Sequence, residues 1–284
     1  MADMADTSDA ARDPRPWIAD DEPPAYELVN AEGRSRVVLV CDHASPAIPR
    51  RLGALGLAPK DLRRHVAWDI GAAEVARRLS RRLDAPLALP GYSRLVVDCN
   101  RPLREADAFA TRSEDVVVHG NQGISDAEKA ARAEAFYWPY HRALHRLVES
   151  RTGGDHVPLM VSVHSFTPVY HGERRPWHVG LHHRWDRRGA EHALRVLRAD
   201  GDLHVGDNEP YPLALDEDYT IPVHAERRGL PYLLFEIRQD LIDTENGAAL
   251  WAERLGALLA ALLGEADLNR YGPGASDVDT PAFD

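Results

Sequence analysis

The stretch RVVLVCDHASPAIP, residues 36–49, decides how this chain is read. Val37 to Cys41 are apolar without a break, and then Asp42-His43 arrive, followed by small residues and two prolines. A short, continuous apolar run closed by turn residues reads as a strand buried on both faces. Its carboxyl end presents an acid and an imidazole, which are costly to bury without partners.

Similar runs recur along the chain: 86–89 (PLAL), 93–98 (SRLVVD), 158–163 (PLMVSV), 178–182 (HVGLH) and 231–236 (PYLLFE). Between them lie helical patterns. Residues 60–83 place Leu62, Val66, Ile70, Val75 and Leu79 near a helical period, and residues 126–150 open on Ser125-Asp126 as a cap. Pro139 is expected to kink or divide that second helix. Residues 187–200 and 243–263 complete the set. Strands alternating with helices predict an open, largely parallel sheet with helices on both faces. Ligands in such folds sit at the carboxyl ends of the strands.

Four of the expected strands end in reactive side chains. They deliver Asp42-His43, Asp98-Cys99-Asn100-Arg101, His164-Ser165 and Glu236-Ile237-Arg238. A lone histidine there is more often structural; two on separate strands, with acids beside them, make a shared site the better reading. Two imidazoles and a carboxylate around an open position are the usual ligands of catalytic zinc. His43 and His164 fit the imidazoles, Glu236 a general base, and Asn100 with Arg101 a grip for a substrate carboxylate. The third ligand is less obvious: Asp69, in HVAWDIG at 65–71, is an acid in an apolar stretch that needs a partner, which either a metal or a ligand histidine would supply. The sequence lacks a GxSxG elbow, a phosphate loop and HExxH. HAE at 224–226 has no following PCxxC, so a zinc deaminase is excluded.

The chain of 284 residues carries 34 basic and 45 acidic side chains, net −11, a poor balance for gripping nucleic acid. The arginines of RRLSRRLD, 77–84, read as a solvated helix face. Two cysteines, Cys41 and Cys99, exclude a disulfide framework. No apolar run approaches the roughly 20 residues that span a bilayer. The acidic N-terminus does not look like a signal peptide, so a cytoplasmic location is the default expectation. Residues 1–20 and 269–284 are expected to be loose tails around one catalytic domain, 21–268. Whether the chain forms a homo-oligomer is left open.

The sequence resembles the N-formylglutamate amidohydrolase family in CDHASPAIP, HVAWDIGA, SRLVVDCNRPL, PYH, VHSFTPV, NEPY and HAERRGLPYLLFEIRQDLI, spread over residues 36–245. The resemblance implies a three-layer α/β/α sandwich, zinc-exopeptidase-like, with a mixed, mostly parallel sheet of about eight strands. It implies one zinc, or another divalent metal, held by His43 and His164, an Asn100-Arg101 clamp and Glu236 as base. His141 and His224 become further substrate-binding candidates, and Arg238 with Arg101 points to a small anionic N-acyl amino acid as substrate. One departure matters: the glutamate that zinc carboxypeptidases place three residues after the first histidine is Pro46 here, so another ligand has to come from elsewhere, Asp69 by preference, with Asp42 and His224 in reserve. Two other readings stay open: a non-catalytic carboxylate binder on the same fold, and a hydrolase using Cys41 or Cys99 with His43.

Overall fold

The computed structural model describes residues 16–154, 156–279 and 283. The opening stretch forms the strand it predicts. Within the edge strand β1 (Tyr26–Val29) only part of each residue is covered, whereas all four residues of β2 (Val37–Val40) are fully buried. β2 lies between β3 (Leu87–Pro90) and β4 (Leu159–Phe166), parallel to both. β5 (Val179–His182), β6 (Val205–Asp207) and β7 (Tyr232–Arg238) extend the sheet beyond β4, giving the order β1-β3-β2-β4-β7-β5-β6. β7 runs parallel to β4, with Glu236 directly opposite His164. Antiparallel pairing joins β1 to β3 and β5 to β7. The sheet is thus mixed and mostly parallel, with seven strands among the described residues rather than eight.

Apolar side chains on the two faces of the sheet form two cores. Val37, Leu39 and Cys41 face one, with helices α1 (Ala72–Leu83), α4 (Arg188–Ala199) and α6 (Glu245–Leu262). Val38 and Val40 face the other, with α3 (Trp138–Glu149) and α5 (Thr220–His224). The alternation along one short strand therefore builds the three layers. Among the described residues no helix is long and apolar enough to cross a membrane.

Several expectations are corrected. Residues 93–98 form turns, not a strand. The Ser93 hydroxyl accepts from Leu95 N at 3.1 Å and donates to Ala67 O at 2.7 Å, and Val96 N bonds back to Ser93 O. Leu95, Val96 and Val97 are still buried, so their apolar pattern reports burial beneath a loop. The helix expected over 60–83 begins only at Ala72, because Gly71 adopts φ +82, a left-handed conformation that interrupts it. The helix over 126–150 is continuous but irregular: α2 (Asp126–Arg132), capped by Ser125, passes through a π turn at 133–137 into α3, and Pro139, which has no N–H to bond back along the helix, stands just after that turn.

The end segments are also more ordered than composition implied. Residues 1–15 lie outside the described residues, but Trp17 packs edge-on against Phe136. Ala275 N donates to Glu226 O, Ala275 and Val278 are buried, and Phe283 stacks on His224. A few apolar anchors suffice to dock a polar segment whose average composition predicts a free one.

Candidate active site

The carboxyl ends of β2, β4 and β7 meet at one cavity of about 770 Å³, lined by His43, His164 and Glu236. Asp69 reaches it from the turn before α1. Its N–H donates to His43 O at 2.9 Å, and its Oδ2 accepts from Ser165 N at 3.2 Å. Backbone bonds from two strand ends therefore fix this carboxylate between the two imidazoles. Asp69 Oδ2 lies 2.8 Å from His164 Nδ1 and 3.4 Å from His43 Nδ1.

The far nitrogen of each ring faces another carboxylate. His43 Nε2 is 2.7 Å from Asp98 Oδ1, and His164 Nε2 is 3.3 Å from Asp42 Oδ2, close but not aligned as a hydrogen bond. Asp42 is itself held through Oδ1 by the hydroxyls of Tyr140 and Thr220, both at 2.7 Å. Asp98 also accepts from Asn100 N and from the Arg94 guanidinium at 2.9 Å. Asp98 holds His43 by Nε2 and Asp69 holds His164 by Nδ1, which leaves His43 Nδ1 and His164 Nε2 open, as in histidines whose second nitrogen is held by a carboxylate while the first binds a metal. Ligand atoms about 2.0–2.1 Å from zinc stand roughly 3.3 Å apart, and one donor atom from each of His43, Asp69 and His164 lies within 4.8 Å of the others. Among the described residues, His43 Nδ1, His164 Nε2, Asp69 Oδ1 and Glu236 Oε2 are all buried without a hydrogen-bond partner. His43, Asp69 and His164 form the buried group among the described residues able to hold a cation; a second group, His192, Glu265 and Asp267, is only partly buried.

Charge in this centre is dense. Burial alone would raise the Asp69 and Asp98 carboxyls. The His43 and His164 rings beside Asp69 nevertheless hold it well below the usual range, and His43 with Arg94 does the same for Asp98. Burial disfavours charge on His164, yet Asp42 and Asp69 push its affinity for a proton well up; His43 is raised more modestly by Asp98 and Asp69 against burial and Arg94. Glu236 behaves differently. Burial, reinforced by the Asp69 charge, pushes its carboxyl up to about 7. Tyr211 donates to Glu236 Oε1 at 2.8 Å and leaves Oε2 free. A carboxyl poised near neutrality beside a histidine–carboxylate centre has the properties of a general base.

The structure brings together His43, Asp69, His164, Glu236, Asn100 and Arg101 on one cavity wall. Asn100 and Arg101 are occupied, however. Asn100 donates to Asp218 at 2.9 Å and accepts from Tyr219 N and Thr220 N. Arg101 donates to Asp107 at 2.7 Å and to its neighbour's carbonyl. Arg238, His141 and His224 are not brought to the cavity. Arg238 donates to Asp240 and the Pro176 carbonyl. His141 and His224 are fully buried and stacked; His141 Nε2 donates to Cys99 O at 2.9 Å, so its Nδ1 accepts from His224 Nε2 at 3.1 Å. That chain of bonds braces the backbone carrying Asp98 and Asn100 from beneath, and His224 is thereby removed as a reserve ligand. Cys41 and Cys99 are buried and their thiols are pushed well up by burial, which removes the cysteine nucleophile.

The sequence reading missed Asp98 as the brace of His43, Arg94 as its counter-charge, Tyr211 as the partner of Glu236 and Arg175 in the cavity wall. Asp98 stands two residues before Asn100 and carried a readable signal; the other three depend on which loops fold over the sheet.

A buried histidine–carboxylate centre with a lone glutamate beside it, at the carboxyl edge of an α/β/α sheet, is the architecture of a hydrolytic enzyme. The model of the N-formylglutamate amidohydrolase family matches residues 35–243, and the chain belongs to that family, hydrolases acting on C–N bonds other than peptide bonds. A crystal structure of a gene product from Agrobacterium tumefaciens is similar at 38% identity and a TM-score of 0.84, over 87% of this chain and 98% of that one. The crystal structure of an N-formylglutamate amidohydrolase from Ralstonia eutropha shares the fold at 21% identity and a TM-score of 0.57, over 84% of this chain and 96% of that one. No curated protein matches the chain.

Proposed function

We propose that the protein hydrolyses the amide of a small, anionic N-acyl amino acid, with N-formylglutamate as the type substrate, and that His43, Asp69 and His164 hold one zinc or other divalent ion. The observation that carries this reading is the convergence of two carboxylate-braced imidazoles on Asp69 Oδ2, at 2.8 and 3.4 Å, beside a glutamate with a free, buried oxygen. When bound, such an ion polarises an acyl oxygen and makes water more acidic.

The chain's own groups account for the rest. Asp98 and Asp69 orient the two rings by hydrogen bonds, and the Asp42 charge beside His164 favours the cation. Tyr211 fixes Glu236 so that Oε2 faces the reaction. Glu236 takes the proton of the attacking water. As the C–N bond breaks, it passes that proton to the leaving nitrogen, so that acid and amine are released. A protein that only binds a carboxylate ligand gains nothing from Glu236, whose charge repels such a ligand.

The test is elemental mass spectrometry of the purified protein beside His164→Ala, followed by a screen of N-formyl and N-acetyl amino acids. About one metal per chain, lost in the variant, with turnover of an N-acyl amino acid, is the expected result. Wild type that takes up no metal when zinc is offered, or that hydrolyses none of the panel, overturns the proposal.

A further inference from the structure

Arginine is the residue best shaped to grip a carboxylate, but most of the buried arginine charge around this cavity is already engaged. Arg94 pairs with Asp98 at 2.9 Å and lies 3.7 Å from Asp69. Arg101 is bound to Asp107. Arg175 is different. It follows a small hairpin, Val169–Tyr170 paired with Glu173–Arg174, that rises from the end of β4 just beyond His164. Its own N–H bonds to Pro168 O at 2.9 Å, which closes the base of the hairpin.

The Arg175 guanidinium lines the cavity and rests 4.4 Å from the ring centre of Tyr170, 5.7 Å from that of Tyr211 and 5.9 Å from that of Phe166. Among the described residues no carboxylate lies within ion-pairing distance of it, and no acceptor takes its side-chain N–H groups. Arg112 and Arg174 also lack carboxylate partners at the cavity, but both are exposed, where hydration satisfies them; Arg175 is half-buried. Stacking on aromatic faces fixes the plane of a guanidinium and leaves its edge free for a bidentate acceptor.

We propose that Arg175, held on aromatic rings by the hairpin, is the specificity-determining residue that binds a carboxylate of the substrate, a role that Arg101 cannot fill while engaged with Asp107. This rests on the amidohydrolase reading, and it sharpens the substrate class: one carboxylate sits on the hairpin side of the cavity, beside the Tyr211 that holds Glu236.

The test is calorimetric binding of glutarate, a dicarboxylate without an amide, to wild type, Arg175→Gln, Arg175→Lys and Arg101→Gln. Turnover of N-formylglutamate is followed in parallel. Loss of a bidentate charged hydrogen bond weakens glutarate at least about tenfold in Arg175→Gln. Arg175→Lys recovers part of the affinity, and Arg101→Gln has a smaller effect. Equal binding by wild type and Arg175→Gln, or no binding by wild type, overturns the proposal. Arg175-dependent glutarate binding in a protein that hydrolyses no N-acyl amino acid removes the amidohydrolase reading and leaves the anchor standing.

Discussion

Replacing Glu236 by glutamine separates a catalytic carboxylate from a structural one, because activity and stability should move in opposite directions. Glu236 is 5% exposed, accepts from Tyr211 and has one oxygen without a partner. Its proton affinity rises in the fold, from an ordinary 4.5 to about 7, chiefly through burial. The folded protein therefore keeps a proton that the unfolded chain releases between pH 4.5 and 7. Stability falls as pH rises through that window, and the full cost is present above pH 7. At about 1.4 kcal/mol for each tenfold change in proton affinity, that cost is about 3 kcal/mol. Glutamine keeps the shape and the bond from Tyr211 without the charge. In metal-stripped protein, Glu236→Gln should match wild type near pH 4.5 and melt higher at pH 8, by roughly 6–12 °C. Its turnover in the metal-loaded state should fall by roughly two to four orders of magnitude. Thermal melts at both pH values and single-substrate kinetics are the assay. A variant that keeps turnover within tenfold, or that melts lower at pH 8, refutes the reasoning.

Two other perturbations test the supports of the site. Asp98→Asn weakens the brace on His43 Nε2 and leaves the Arg94 charge poorly matched. Zinc affinity, measured by competition with a chelator, should drop roughly 10–100-fold; an unchanged affinity would show that Asp98 does not orient a ligand. Arg132 is fully buried and donates to Glu128, Asn121 and the carbonyls of Val96 and Gly120, tying the loop of Asp98 to α2. Arg132→Met leaves those acceptors unmatched and should cost roughly 3–5 kcal/mol by chemical denaturation; a loss under 1 kcal/mol would mean that water or local rearrangement replaces it.

Much of this protein is legible in one dimension. The run from Val37 to Cys41 is apolar on both faces because helices cover both faces of the sheet, so its burial and the position of His43 at its end follow from local pattern. His164 and Glu236 are legible for the same reason, each closing an apolar strand. The run 93–98 misled because an apolar segment buried under a loop has the same composition as one in a sheet, and only the Ser93 turn distinguishes them. Edge strands β1 and β6 carried too little apolar pattern to be seen. What the chain order alone determined was which side chains end the strands. Tertiary structure alone decided which of them meet. It set Asp69 between two rings that are 26 and 95 positions away in the chain, and it sent His141, His224 and Arg238 elsewhere. Among the described residues it also left Arg175 without a counter-charge. The reason is physical: strand ends are fixed by local burial, but the partner of a buried charge is fixed by loops whose paths depend on packing across the whole sheet.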